Sequence, residues 1–279
     1  MTLRRVVITA AGLGTRLLPA SKEIPKEMFP VFAMYDGEVV VKPLLQIIFE
    51  SFYDAGFREF CFVVGRGKRA IEDHFTPNWS FVEWLRARGI RGRERLAKLL
   101  EDFYRKVEGS HIVWVNQHEP LGFGHAVLMA EPFIDGDFIV AAGDTVLPSH
   151  SFIGDMASMG SEVVLIVKKV EDPRRYGVAV LQGDKVVKVV EKPRDPPSSY
   201  AILPFYRFPR DFLKYLKRIS PGTGGELQLT DAIQLAIDDG MDVRAIIYDG
   251  EYIDIGSPET YLRALEVFSK LVRGGGSNG

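Results

Sequence analysis

The segment Ala10-Ala11-Gly12-Leu13-Gly14-Thr15-Arg16-Leu17-Leu18-Pro19, followed by Ile24-Pro25-Lys26-Glu27-Met28, decides the fold of this chain. It comes directly after Val6-Val7-Ile8-Thr9, a β-branched run that is typical of a buried strand. Small residues and glycines after a strand let backbone N–H groups approach a ligand closely, and such groups bind anions such as phosphate. Arg16 and Lys26 add two cations beside them. The pattern therefore predicts a nucleoside triphosphate site after the first strand.

Spacing excludes two other nucleotide-binding motifs in this segment. Gly12 and Gly14 do not fit a Walker A loop, which needs a second glycine five residues after the first and a lysine directly after it. The third glycine of a dinucleotide fingerprint would fall at position 17, which is Leu17. The remaining alternative is a glycine-rich turn that carries a solvated arginine and lysine.

Composition limits the classes of protein and partner. Hydrophobic residues make up 46% of the 279 residues and charged residues 26%, which allows a sizeable core under a polar surface. The formal net charge of −2 gives no basic field, so we expect neither nucleic acid nor a membrane as a partner. Cys61 is the only cysteine. Since it excludes an internal disulfide and no signal peptide or membrane-spanning run is recognisable, we expect a cytoplasmic location.

Strand and helix patterns alternate in the first half of the chain. Strands are predicted at residues 6–9, 59–64, 111–116 and 138–142, and helices at 43–55, 67–75 and 124–131. Such alternation favours βαβ units and a mostly parallel sheet in an α/β fold. Ligands of these sheets bind beyond the carboxyl ends of the strands, where the glycine-rich segment falls.

The second half continues the α/β pattern and gives the domain division. A strand is predicted at 161–170, a hairpin at 177–191 and a strand at 201–208, followed by helices at 210–218, at 230–238 and from Ser257-Pro258 onwards. Thr230 is expected to cap its helix. We expect one domain over residues 1–272, with a helical insertion at about 78–109 and a flexible tail at 273–279. The arginines of the insertion fit a solvated basic helix better than an anion-attracting flap or a subunit contact.

Two aspartates end predicted strands and are candidate metal ligands. Asp144 follows the apolar run Ala141-Ala142-Gly143, and Asp254 lies in Tyr252-Ile253-Asp254-Ile255-Gly256. A carboxylate at the carboxyl end of a strand is well placed to hold Mg²⁺ over phosphates. Each could instead serve only a turn or a helix cap.

Two further motifs carry groups that suit a base and a sugar phosphate. Gln117 opens a loop that includes Gly122, and its primary amide has both the acceptor and the donor that uracil requires. Glu191 could accept hydrogen bonds from sugar hydroxyls, while Lys192 could neutralise a phosphate. For Gln117 the alternative is a polar loop before a helix. For Glu191 and Lys192 it is an exposed ion pair that contributes little to stability.

Taken in order, these motifs resemble the sugar-1-phosphate nucleotidylyltransferases, and within them the bacterial-type UTP–glucose-1-phosphate uridylyltransferases. The resemblance covers about residues 3–268 and includes the glycine-rich segment, the Gln117 loop, Tyr176-Gly177-Val178, Glu191-Lys192-Pro193 and the two aspartates. It implies a Rossmann-like three-layer sandwich around a mostly parallel mixed sheet. One departure is Asp36-Gly37-Glu38, which looks like an insertion that lengthens a hairpin near the site entrance.

The resemblance also implies a role for each candidate residue. Catalytic roles fall on Arg16, Lys26 and Asp144, metal binding on Asp144 and Asp254, and sugar-phosphate binding on Gly177, Glu191 and Lys192. Nucleotide-binding roles fall on Ala10, Ala11, Gly12, Leu13, Gly14, Thr15, Lys26, Gln117 and Gly122. Glu226 is expected to line the sugar pocket. The implied cofactor is Mg²⁺.

The implied reaction converts UTP and glucose 1-phosphate to UDP-glucose and pyrophosphate. The phosphate nucleophile is already ionised at neutral pH, so catalysis requires positioning and charge neutralisation rather than a general base. A thymidylyltransferase that uses dTTP is the alternative enzyme, since only one methyl group separates thymine from uracil. A non-catalytic nucleotide-sugar sensor is the alternative of another class. A homo-oligomer, dimer or tetramer, is expected.

Overall fold

The fold is built around one mixed central sheet. The computed structural model describes residues 3–87, 92–160, 162–222 and 225–274. Within these ranges the strands are β1 (Arg5–Ala10), β2 (Pro30–Tyr35), β3 (Glu38–Pro43), β4 (Glu59–Val64), β5 (His111–Asn116), β6 (Phe138–Ala142), β7 (Thr145–Val146), β8 (Val163–Lys169), β9 (Gly177–Gln182), β10 (Lys185–Glu191), β11 (Tyr200–Phe208), β12 (Val243–Ile247) and β13 (Ile253–Asp254). The helices are α1 (Leu44–Asp54), α2 (Arg69–His74), α3 (Trp79–Ala87), α4 (Arg93–Glu108), α5 (Phe123–Met129), α6 (Ser151–Ser158), α7 (Leu213–Leu216), α8 (Leu229–Asp238) and α9 (Pro258–Gly274).

Nine of the described strands form the central sheet in the order β5-β4-β1-β6-β11-β8-β12-β10-β9. The first four are parallel, as the alternation of strands and helices predicts. The strand β11 is antiparallel to both β6 and β8 and joins the two halves of the sheet. The predicted mixed central sheet is confirmed, its first half is parallel as expected, and the predicted strands of that half lie where the sequence placed them.

The helices cover both faces of the sheet, which gives three layers. In β1, Val6 and Ile8 point into one hydrophobic cluster and Val7 points into the other, and all three are fully buried. A strand that is buried on both faces has a continuous run of apolar residues, which explains the β-branched run from which β1 was predicted. The Rossmann-like three-layer sandwich is confirmed.

The strand β12 and the helix α6 are described elements that the sequence did not predict. Arg244 is the second residue of β12, where an apolar residue would be expected for an interior strand. That side chain forms ion pairs with Asp184 and Asp242, so its charge is compensated at the edge of the hairpin. The helix α6 packs its apolar side chains, Phe152 among them, into the core.

The segment expected as a helical insertion contains α3 and α4 in its described part. Arg86 pairs with Glu101 across the two helices, and Arg95 pairs with Glu38 of β3 at 2.7 Å. Arg88 and Arg91 lie outside the described residues. The expected longer hairpin is β2–β3, which turns at Asp36 and Gly37 with φ of 52° and 76°.

The C-terminal helix α9 starts where the sequence placed it. The Ser257 hydroxyl accepts a hydrogen bond from the Thr260 N–H at 3.3 Å, as expected of a residue that caps a helix N-terminus. The helix includes residues 273 and 274, which the sequence assigned to the flexible tail, whereas residues 275–279 lie outside the described part. The division into a single domain stays a prediction. No helix within the described ranges is long and apolar enough to cross a membrane.

Candidate active site

A cleft of about 480 Å³ opens beyond the carboxyl ends of β1 and β6. Its lining residues are Thr9, Ala11, Gly12, Leu13, Gly14, Thr15, Arg16, Lys26, Glu27, Gln117, Pro120, Gly122, Phe123, Ala126, Ala142, Asp144, Glu226 and Gly256. Most of the residues predicted for nucleotide binding and catalysis are therefore brought together. Ala10 is the exception, because it ends β1 as a buried residue and does not line the cleft.

The glycine-rich segment leaves β1 and turns into a short 3₁₀ helix, Thr15–Leu17. Gly14, the residue before this helix, has a φ of 66°, a conformation that glycine adopts without steric cost. The Ser21 hydroxyl donates to the Gly14 carbonyl at 2.7 Å and holds the turn in place. The backbone of the segment thus lines the cleft in a fixed conformation, as a phosphate-binding loop requires.

Arg16, Lys26 and Asp144 line the cleft, and Asp254 lies within reach of their charges although it is not a lining residue. Lys26 forms an ion pair with Asp144. Burial alone would lower the pKa of Lys26, but the attraction and hydrogen bond to Asp144, together with the charges of Glu27 and Asp254, outweigh it and raise the pKa. Burial, followed by repulsion from Asp144, raises the pKa of Asp254 to about 6 even though Lys26 and Arg16 act against this. The two carboxylates and the two cations therefore interact electrostatically as one cluster.

The two aspartates are brought together by a very short pair of strands. Asp254 of β13 lies opposite Thr145 of β7, and the Ile255 N–H donates to the Asp144 carbonyl at 2.9 Å. A β-carbon at Gly256 would lie 2.9 Å from Asp254 Oδ2 and 3.1 Å from Arg16 Nη2, so these two groups flank the same glycine. The prediction that Asp144 and Asp254 share one site is thus supported by their geometry.

The donor set of this cluster fits a hard divalent cation. The described residues contain no group of three or more histidine, cysteine, aspartate or glutamate side chains that could hold a metal. Mg²⁺ is commonly held by one or two carboxylates together with substrate phosphates and water. Two repelling carboxylates beside a phosphate-binding loop match that arrangement.

Glu27, which sequence reasoning did not single out, anchors the segment that carries Lys26. It is 1% exposed and accepts a hydrogen bond from Lys68 Nζ at 2.7 Å. Burial raises the pKa of Glu27, while Lys68 opposes this shift. The buried Glu27–Lys68 pair holds the 3₁₀ helix Lys26–Met28 in place. The only sequence signal for this role of Glu27 was its position next to Lys26.

Gln117 lies in the wall of the cleft with a defined amide orientation. Its Nε2 donates to the Gly122 carbonyl at 3.1 Å and lies 2.9 Å from His125 Nδ1. Both amide hydrogens are therefore used within the protein, and Oε1 is left as the group available to a ligand. The amide thus offers an acceptor, not the combined acceptor and donor that the sequence suggested.

The predicted sugar-phosphate residues lie together but outside the lining of this cleft. Gly177 of β9 pairs with Glu191 of β10, and Lys192 follows with its Nζ 3.2 Å from Glu191 Oε1. A β-carbon at Gly177 would lie 2.9 Å from the Thr230 hydroxyl oxygen, so only glycine allows this close approach. The end of the β9–β10 hairpin thus carries a second set of functional groups, next to those of the cleft.

Thr230 has a different role from the one predicted. The helix α8 begins at Leu229, so Thr230 lies inside it and does not cap it. Its hydroxyl donates to Glu191 Oε2 at 2.6 Å, which orients that carboxylate. The sequence misplaced the cap by two positions because Thr at a helix start usually signals a cap.

A pair of tyrosines connects the hairpin end to the acidic cluster. The rings of Tyr176 and Tyr252 lie 6.2 Å apart. Burial raises the pKa of Tyr252, and the charges of Asp254 and Asp144 raise it further, so Tyr252 lies within the field of both aspartates. Sequence reasoning missed Tyr252, although residues two apart in extended backbone share one side and Tyr252 comes two residues before Asp254.

A three-layer α/β fold with a glycine-rich loop after β1 and an acidic pair beside it is typical of nucleotide-dependent transferases. Residues 5–270 match the family described as Nucleotidyl transferase, and the chain belongs to that family.

Relatives and solved structures with more specific names are similar to nearly the whole chain. The UTP–glucose-1-phosphate uridylyltransferase YngB of Bacillus subtilis is 35% identical over 91% of this chain and 85% of its own length. The UTP–glucose-1-phosphate uridylyltransferase of Pseudomonas aeruginosa is 34% identical over 94% of each chain. A crystal structure of UDP-glucose pyrophosphorylase complexed with UDP-glucose superimposes with a TM-score of 0.81 at 28% identity, and covers 97% of this chain and 100% of its own.

Proposed function

We propose that this chain transfers the uridylyl group of UTP to glucose 1-phosphate, with UDP-glucose and pyrophosphate as products. The observation that carries the proposal is the convergence of the glycine-rich loop, Gln117 and the Lys26–Asp144 pair on one cleft. The names of the similar uridylyltransferases support the choice of substrates.

The reaction requires one bond to form and one to break. A phosphate oxygen of glucose 1-phosphate attacks the α-phosphorus of UTP, and the bond from the α-phosphorus to the oxygen bridging to the β-phosphorus breaks, which releases pyrophosphate. Arg16 and Lys26 neutralise the charge that develops on the pyrophosphate, and Lys192 neutralises the incoming sugar phosphate. No proton has to be removed from the nucleophile, so no general base is assigned.

Asp144 and Asp254 are the residues that would hold Mg²⁺. When bound, the ion supplies positive charge to the phosphate oxygens. Lys26 forms an ion pair with Asp144, and the β7–β13 pairing holds the Asp254 backbone next to that of Asp144.

The direct test measures pyrophosphate release with UTP, dTTP, CTP, ATP and GTP, each with glucose 1-phosphate and then with other sugar 1-phosphates. Highest release with UTP and glucose 1-phosphate is expected. A preference for dTTP would replace the proposal with a thymidylyltransferase. Nucleotide binding without release by any pair would indicate a sensor.

The Thr230–Glu191 hydrogen bond predicts a specific effect on the sugar substrate. Thr230→Val removes the donor from a carboxylate, and we expect the KM for glucose 1-phosphate to rise roughly tenfold while the KM for UTP changes little. Thr230→Ser keeps the hydroxyl and should stay near the wild type. Steady-state kinetics with each substrate varied separately would check this, and an equal rise in both KM values would contradict it.

A homo-oligomer is also part of the proposal, and the exposed face of the β2–β3 hairpin supports it. Met34 and Val39 are cross-strand partners, 37% and 50% exposed, and Val41 beside them is 57% exposed. Contiguous apolar side chains of this kind are commonly covered by another chain. We expect the double variant Val39→Lys, Val41→Lys to reduce the mass measured by light scattering, whereas Lys188→Glu, an exposed change on β10, should not. A wild type that is monomeric at micromolar concentration would contradict the oligomer.

The proposal includes a cytoplasmic location. Cys61 is the only cysteine and is buried, so the fold needs no disulfide.

A further inference from the structure

Lys68, the residue before α2, is connected to the active site through Glu27. Lys68 does not line the cleft, whereas Glu27 does, and both residues are buried. Lys68 Nζ donates to Glu27 Oε2 at 2.7 Å. The loop that carries Lys68 lies against the glycine-rich segment, because a β-carbon at Gly65 would lie 2.8 Å from the Ala11 carbonyl oxygen. The buried pair is therefore part of the wall of the cleft.

Glu27 interacts with two cations. The main charges that act on it are those of Lys68 and Lys26, which favour its carboxylate, and that of Asp144, which repels it. In turn, the charge of Glu27 is among those that raise the pKa of Lys26, after the larger influence of Asp144. Two carboxylates thus attract Lys26, and Lys68 pairs with one of them.

The ammonium group of Lys26 lies beside the glycine-rich loop. Its Nζ would lie 3.8 Å from a β-carbon at Gly12. Without Lys68, the Glu27 carboxylate would be a buried charge that has lost its partner, which is strongly unfavourable. Lys26 is the other cation that acts on Glu27, so it would become the partner. Such a pair would occupy the ammonium group that Asp144 and the phosphates also require.

We propose that Lys68 is a positioning residue for the transfer reaction, which binds Glu27 and so leaves Lys26 free to neutralise the phosphates of the nucleotide. The inference rests on the proposed function for the role of Lys26, and it goes beyond it by assigning a part in the reaction to a buried lysine that does not line the cleft. Lys68 also compensates the charge of a carboxylate that would otherwise repel a polyanion in the cleft.

The test separates the charge of Glu27 from the hydrogen bond that holds the helix. Lys68→Gln removes the cation but keeps a donor for the carboxylate. The double variant Glu27→Gln, Lys68→Gln keeps a hydrogen-bonding pair and also removes the competing charge. Lys68→Met is a second single variant, in which an apolar chain fills the site. Arg69→Met is the control, because Arg69 is an exposed cation directly after Lys68 that does not line the cleft.

Lys68→Gln and Lys68→Met are each expected to lower kcat about 30-fold, while the KM for glucose 1-phosphate changes less than about threefold. The double variant should recover to within about fivefold of the wild-type kcat, because no second carboxylate then competes for Lys26. Arg69→Met should stay within about twofold. Circular dichroism would show which variants are folded, and either single variant is sufficient for the comparison with the double variant.

Two kinetic results would overturn the inference. One is a wild-type kcat in the single variants, which would show that Lys26 does not depend on Lys68. The other is a double variant as slow as Lys68→Gln, because the Glu27–Lys68 pair would then act only by holding the helix. In both cases a wild type that turns over UTP and glucose 1-phosphate leaves the proposed function standing.

Binding of inorganic pyrophosphate in the presence of Mg²⁺, measured by calorimetry, tests the inference without turnover. If the wild type releases no pyrophosphate from any substrate pair, the proposed reaction fails and this affinity becomes the readout. The affinity should fall about tenfold in Lys68→Gln and return in the double variant. An unchanged affinity in Lys68→Gln would overturn the inference, and a wild type that does not bind pyrophosphate would contradict both proposals.

Discussion

Asp144→Asn is expected to lower kcat by about 10²–10³-fold while the protein stays folded. The substitution keeps the shape of the side chain but removes one of the two carboxylates proposed to hold Mg²⁺, and it leaves Lys26 without its partner. The Mg²⁺ concentration for half-maximal activity should rise as well. Steady-state kinetics over a Mg²⁺ titration, with circular dichroism to monitor folding, would measure both effects.

The matched control is Asp249→Asn, an exposed aspartate in the loop before β13. It removes the same charge from the same region of the chain and should leave kcat within about twofold of the wild type. An Asp144→Asn variant with wild-type turnover and wild-type Mg²⁺ dependence would remove Asp144 from the metal site.

Arg16→Ala and Lys192→Ala are expected to affect different kinetic constants. Arg16 lines the cleft and flanks Gly256 together with Asp254, so it is placed to meet charge that develops on the leaving pyrophosphate. Its removal should lower kcat by roughly 10²-fold. Lys192 lies at the end of the β9–β10 hairpin, and its removal should instead raise the KM for glucose 1-phosphate roughly tenfold.

Two exposed lysines serve as controls for this pair. Lys22 lies on the 3₁₀ helix that follows Arg16, and Lys188 lies on the same strand as Glu191. Neither Lys22→Ala nor Lys188→Ala should change a constant more than about twofold. If Arg16→Ala and Lys192→Ala both reduced only the affinity for UTP, Lys192 would belong to the nucleotide site and the division of roles would be wrong.

The elements near the nucleotide site could be predicted because their signals are local. The β-branched run of β1 and the glycines after it lie within a few residues of one another, and so do Gln117 and Gly122. In the same way, the carboxyl ends of β1 and β6 meet because parallel neighbours place them at one edge. Local sequence patterns and the geometry of parallel sheets were together sufficient to predict the nucleotide half of the site.

The contacts that complete the site depend on distant parts of the chain, and the sequence alone could not place them. The Thr230–Glu191 hydrogen bond joins α8 to β10, and Lys68 reaches Glu27 from the start of α2. Such pairs follow from tertiary packing, which overrides the local preference that suggested a cap at Thr230.

The pairing of β13 with β7 also has a consequence for the synthesis of the protein. A nascent chain contains the loop after β1 and Asp144 long before Asp254 has been translated, because β13 follows all nine strands of the central sheet. A chain that stops short of β13 can therefore form the early βαβ units and still lack the second carboxylate. Translation must pass residue 254 before the two aspartates can meet, so fragments that end before β13 should have no catalytic activity.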